Sequence, residues 1–176
     1  MPLFVYIETK LLAHWSRKSP IKFIWTVAIV LFTYNVCIIG YFGWIHQRGA
    51  LDVMKELPTK ATSKTELLFL MPCHSTPLYS HLHAEIPARF LTCEPDFTGN
   101  PEYKDEADLF YDNPEKWLKE NFPKNATASH VILFDVLVPH IQSFLNKNNY
   151  KLKSKLFHMY RPSGRVGEYV QVFTKE

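Results

Sequence analysis

Residues 23–45 read FIWTVAIVLFTYNVCIIGYFGWI, without one charged side chain. Wound as a helix, this stretch extends about 35 Å at about 1.5 Å per residue. That crosses a hydrocarbon layer of about 30 Å with some tilt. Trp25 stands near one end, and Tyr41 and Trp44 near the other, where amphipathic rings favour the headgroup level. A secretory signal fits poorly, because its apolar region is about 7–15 residues long and ends at a small-residue cleavage site. This run is longer and ends in Gly-Trp-Ile-His. A core helix of such length is out of proportion to a domain this small. The sequence therefore predicts a transmembrane helix over residues 21–45.

The flanking charge orients that helix. Residues 1–22 carry Lys10, Arg17, Lys18 and Lys22 against Glu8 alone, so the whole formal charge of +3 sits in this stretch and the remainder is balanced. A nucleic-acid binder concentrates basic charge on its folded part; here it lies beside the apolar run, as membrane topology requires. The positive-inside rule places residues 1–20 in the cytosol and the C-terminal part across the bilayer. Asn125-Ala126-Thr127 is an N-glycosylation sequon usable on that far side. Residues 1–20 read as a cytosolic connector, in which Leu11, Leu12 and Trp15 suit a short interfacial helix.

Beyond the span, residues 46–64 read as a lumenal stem: a short helix from Ala50 to Leu57, ended by Pro58 and followed by a polar linker. Residues 65–176 read as a small lumenal α/β domain. The continuous apolar runs at 67–71 and 131–134 suit strands buried on both faces, as in a parallel sheet, with a third strand near 88–92. Asn113-Pro114-Glu115 supplies a cap, a first-turn proline and an acid for one helix, and Pro139 opens another carrying Ile141, Phe144 and Leu145. Lys151, Lys153 and Lys155 alternate with Leu152, Ser154 and Leu156 as in a strand with a solvated side, and 169–173 supplies a last strand. The expected fold is a membrane-anchored α/β protein: one transmembrane helix, then a domain with a mostly parallel sheet.

Polar chemistry is densest after the first strand, at Met71-Pro72-Cys73-His74-Ser75-Thr76-Pro77, followed by Tyr79, His81 and His83. Ligands of open α/β sheets favour such strand ends, which makes His74, Ser75, Tyr79, His81 and His83 candidate contacts to a substrate or partner. His81 and His83 would project to one side of an extended segment. Imidazoles suit zinc, but no full tetrahedral set with ligand spacing is present, so no metal and no cofactor are expected. Cys73-His74-Ser75 sets a nucleophile beside a base, yet nothing in the sequence orients the pair, and a loop whose polar groups satisfy its own backbone reads equally well. Cys73 and Cys93, twenty residues apart after two predicted neighbouring strands, are candidates for a disulfide in an oxidising lumen. The acid-rich stretch 94–115 lacks the ordered ligands and central glycine of a calcium loop; it reads as a solvated acidic loop.

Longer stretches carry a resemblance. His46-Gln47-Arg48-Gly49 with Leu51-Asp52-Val53-Met54, then LLFLMPCHSTPLYSHLH (67–83), RFLTCEPDFTG (89–99, opening on Arg89), DEADLFYDNPEKWL (105–118) and Gly164-Arg165-Val166-Gly167 resemble, in order, the C-terminal part of the GPI-anchor mannosyltransferases of glycosyltransferase family 22, GT-C type. The resemblance implies an enzyme of the endoplasmic reticulum membrane that adds the third, α1,2-linked mannose to the GPI-anchor precursor. Dolichol-phosphate-mannose is the implied donor, with inverting displacement at the sugar C1. Arg89 joins His74, Ser75, Tyr79, His81 and His83 as a candidate contact to a substrate or partner. The family's catalytic acid lies in a first lumenal loop N-terminal of anything in this sequence, so no catalytic residue is assigned here and the chain alone is expected to be inactive. About two-thirds of a family-length chain is expected to be missing, with Met1 a product of truncation. The alternatives are a non-catalytic single-pass lumenal domain binding a glycolipid or a membrane subunit, and an anchored hydrolase built on His74 and Ser75.

Overall fold

The computed structural model describes residues 2–58, 60, 65–97, 99–100, 102–122 and 128–175. It divides into two compact units, Met1–Trp44 and Ile45–Glu176. The predicted linker at 59–64 falls almost wholly outside the described residues, and the sequon at Asn125 wholly so.

The first unit is helical. α1 (Pro2–Lys18) occupies the stretch read as a connector and extends well beyond the short helix suggested around Leu11, Leu12 and Trp15. α2 (Pro20–Trp44) is long and apolar enough to cross a membrane, and no residue of it is buried within the protein. Pro20 opens α2 at the one position that tolerates its missing N–H. Two polar side chains of α2 turn back to its own backbone: Thr26 Oγ1 donates to the Lys22 carbonyl at 2.8 Å and Asn35 Nδ2 to the Leu31 carbonyl at 2.8 Å.

The second unit is a five-stranded sheet in the order β2-β1-β3-β5-β4, formed by β1 (Leu67–Leu70), β2 (Ala88–Phe90), β3 (His130–Phe134), β4 (Tyr150–Phe157) and β5 (Tyr169–Lys175). β1 pairs in parallel with β2 and β3, whereas β5 pairs antiparallel with both β3 and β4. The sheet is thus mixed, correcting the mostly parallel one expected. The cause is the connection at 158–168: no helix crosses over between β4 and β5, so the chain doubles back as an antiparallel pair, with Arg161 and Gly164 at positive φ.

Both faces of β1 and β3 are covered, as their unbroken apolar runs require. On one face Leu67, Phe69, Ile132, Phe134, Val170 and Val172 pack with α3 (Gly49–Glu56) and α4 (Leu78–Leu82). On the other, Leu68, Leu70, Val131 and Leu133 pack with α5 (Glu106–Asp112), α6 (Pro114–Asn121) and α7 (Val138–Lys147). The stretch read as a stem therefore contributes a core helix, since Val53, Met54 and Leu57 are all buried. Gly49 sets how closely α3 approaches: a Cβ there would lie 2.8 Å from the Phe157 carbonyl oxygen.

The acidic stretch is not all loop. Asp105 caps α5 by accepting from the Asp108 N–H at 2.7 Å, and Ala107 and Phe110 are buried beneath it. Acids in the first turn suit the positive end of a helix. α6 begins as expected, its Asn113 cap accepting from the Lys116 N–H at 3.0 Å. β4 is an edge strand whose exposed Lys151, Lys153 and Lys155 guard it against pairing with another chain.

Candidate functional site

The segment leaving β1 folds back on itself at once. The Pro72 carbonyl accepts from the Ser75 N–H at 3.2 Å and from the Ser75 hydroxyl, and His74 takes a left-handed backbone with φ 60° to close the turn. For a non-glycine residue that conformation is uncommon, and such strain gathers at functional sites. Cys73 is bonded to Cys93, with their Cα atoms 5.9 Å apart, so the bridge fastens the end of β1 to the chain leaving β2. Between these strand ends lies a cleft of 470 Å³, within the range of about 300–1,000 Å³ usual for small-molecule sites. Phe69 and Phe90 stack beneath it with centroids 4.8 Å apart, and Tyr79, 73% exposed, lines it from the first turn of α4.

Of the residues singled out in the sequence, His74, Ser75, Tyr79, Cys73 and Cys93 line this one cleft. His81 and His83 do not. They stand on α4 and at its C-cap rather than on an extended segment, both exposed, and His81 Nδ1 meets Ser80 Oγ at 3.0 Å. Arg89 is committed elsewhere. It forms an ion pair with Glu106 and donates to the Phe90 carbonyl at 3.0 Å, while the second Glu106 oxygen accepts from the Thr92 N–H and hydroxyl, each at 2.9 Å. Arg89 and Glu106 thus tie β2 to α5.

Two chemistries fail on this geometry. The ligand atoms of Cys73, His74 and Cys93 lie within 4.8 Å of one another, but the two sulfurs are bonded together, which removes both thiolates a metal would need. The Ser75 hydroxyl donates to the Pro72 carbonyl rather than to His74, so no base activates it as a nucleophile.

A second cleft of 510 Å³ lies behind the same loop, and His74 and Ser75 line it as well. Gln47 and His158 form its far wall, joined by a hydrogen bond of 2.7 Å from the Gln47 N–H to the His158 carbonyl, with Gln47 at φ 58°. The His158 side chain is buried, and its Nδ1 finds no hydrogen-bond partner. Burial first, and the charge of His46 second, hold its pKa below the ordinary histidine value. Reasoning from the sequence missed Gln47 and His158 as site residues. The physical signal there is the Gly49 contact, which forces the strand end and the start of α3 together. Gly167 plays a similar part, since a Cβ on it would fall 2.0 Å from Asp135 Oδ1.

Residues 1–83 match the model of the Alg9-like mannosyltransferase family. The chain is homologous to those mannosyltransferases. The matched stretch runs through α2, α3, β1, the His74 loop and α4, ending at His83. Similarity continues past it. The chain is 47% identical to GPI alpha-1,2-mannosyltransferase 3 of Danio rerio over 151 residues, which is 82% of this chain and 28% of that protein. It is 43% identical to the Homo sapiens protein of that name, over 83% of this chain and 27% of the relative. GPI mannosyltransferase 3 of Drosophila melanogaster is 39% identical over 90% of this chain and 30% of its own length. The chain therefore spans under a third of the length of each of these three relatives.

Proposed function

We propose that this chain is the C-terminal, lumenal portion of a transferase that adds the third, α1,2-linked mannose to the GPI-anchor precursor, taking it from dolichol-phosphate-mannose. The supporting observation is the 47% identity across 82% of the chain, beside the family match over residues 1–83, which includes a helix of membrane-spanning length. In this reading α2 is a span of the endoplasmic reticulum membrane. The second unit faces the lumen, where the Cys73–Cys93 bridge is stable and Asn125 is open to glycosylation. The lipid bilayer, the donor lipid and the GPI glycolipid are its partners. Attack of the acceptor hydroxyl on mannose C1, with departure of dolichyl phosphate, is carried out by residues outside this chain. His74, Ser75 and Tyr79 act by contact with substrate, not by proton transfer.

The test is a chimera. In cells lacking the human relative, that protein with its matching segment replaced by residues 21–176 of this chain should restore GPI-anchored proteins to the surface. The 176-residue chain expressed alone should restore none and transfer no mannose in microsomes. An inactive chimera that reaches the membrane at normal level would favour the non-catalytic, partner-binding alternative. Transfer by the chain alone would refute the assignment of the chemistry to absent residues.

A further inference from the structure

The cleft between the strand ends has a composition that selects among ligands. Tyr79 offers an exposed ring above the stacked Phe69–Phe90 pair, and Ser75, Thr92 and His74 add hydroxyls and an imidazole. The Ser75 proton is spent on the Pro72 carbonyl, which leaves the oxygen free to accept. Among the described residues lining the cleft there is no lysine or arginine, and the one charged group is Glu94. Arg89, the neighbour of Phe90 in β2, is held in an ion pair by Glu106.

A phosphate brought here would meet a carboxylate and no cation, losing hydration without the charge-assisted hydrogen bonds that compensate it. A pyranose suits the same surface. Its C–H face packs on an aromatic ring, and its hydroxyl rim hydrogen-bonds with short polar side chains. A carboxylate is a good acceptor for sugar hydroxyls. We propose that this cleft holds a neutral sugar ring of the acceptor glycolipid, and that the phosphate of the donor binds elsewhere. The assignment rests on the functional reading above and adds to it the location of the acceptor and the exclusion of the anion.

The test uses the complete transferase carrying this sequence, comparing wild type, Tyr79→Ala and Tyr79→Phe. Tyr79→Ala should raise KM for the glycolipid acceptor about fivefold, the loss of one aromatic contact, with kcat and the KM for dolichol-phosphate-mannose unchanged. Tyr79→Phe keeps the ring and should stay close to wild type. An unchanged acceptor KM, or a rise confined to the donor KM, overturns the assignment. A wild-type enzyme that transfers no mannose sinks the functional reading instead. The cleft is then judged by nuclear magnetic resonance on the labelled 176-residue chain in detergent. Methyl α-mannopyranoside should give saturable shifts at Tyr79 and Thr92, and inorganic phosphate should give none. No response to the sugar, or an equal response to phosphate, rejects the cleft as a sugar site.

Discussion

At His158, 6% exposed and with an unpartnered Nδ1, burial disfavours the charged form of the imidazole. Its pKa lies below the ordinary value of 6.5 in the folded protein. The unfolded chain therefore takes up a proton first as pH falls. The stabilising contribution is complete above pH 6.5 and is lost as pH drops from there to the folded value. His130 acts in the same sense, its pKa lowered by burial first and Lys153 second. Thermal unfolding of the purified chain should show Tm falling between pH 7.5 and 5.5, and His158→Phe should flatten part of that slope. An unchanged slope would mean that His158 titrates alike in the folded and the unfolded chain. None of this was legible in the sequence, where His158 follows an apolar pair like any strand residue. Its burial depends on Gly49, a long-range contact. Tyr79, by contrast, could be singled out because it belongs to the polar cluster that follows a buried strand, and ligands of open α/β sheets favour such strand ends.

Among the elements, those with unbroken runs were legible: β1 and β3 are buried on both faces because every side chain in 67–70 and nearly every one in 130–134 is apolar. α6 announced itself by its cap and proline. α5 did not, because Glu106, Asp108 and Asp112 hide the spacing of Ala107 and Phe110. α4, with only five residues, is too short for any periodicity to register. The direction of β5 was hidden too, since no local pattern says that a strand will slip between two earlier ones. The His74 loop depends on the bridge beneath it. Cys73 and Cys93 are separated by twenty residues, and closing a loop of that size contributes about 3 kcal/mol by restricting the unfolded chain. Cys93→Ser in a detergent-purified chain should lower unfolding stability by about that amount and match the effect of dithiothreitol on wild type. A wild-type protein indifferent to reduction would show that the cleft walls are held by packing alone.

Over the whole molecule, the decisive property is the surface of α2. Ile24, Ile29, Val30, Leu31, Phe32 and Ile39 are each more than half exposed, and a helix apolar on all sides is stable only in lipid or a protein interior. Membranes from cells expressing the chain should retain it through alkaline carbonate. In sealed microsomes it should run larger until treated with an endoglycosidase, and Asn125→Gln should abolish that difference. Release by carbonate, or a tail cut by protease from outside the vesicles, would remove the topology.

The strand order also has a bearing on biosynthesis. β1 meets its central neighbour β3 only after some sixty further residues have been made, and among the described residues β4 pairs in the sheet with β5 alone, which follows it. A ribosome halted before Tyr169 would release a product with β3 bare along one side and β4 unattached, its hydrogen-bonding edges open to chaperones and to degradation. Stop codons placed between β4 and Tyr169 should therefore behave as null alleles.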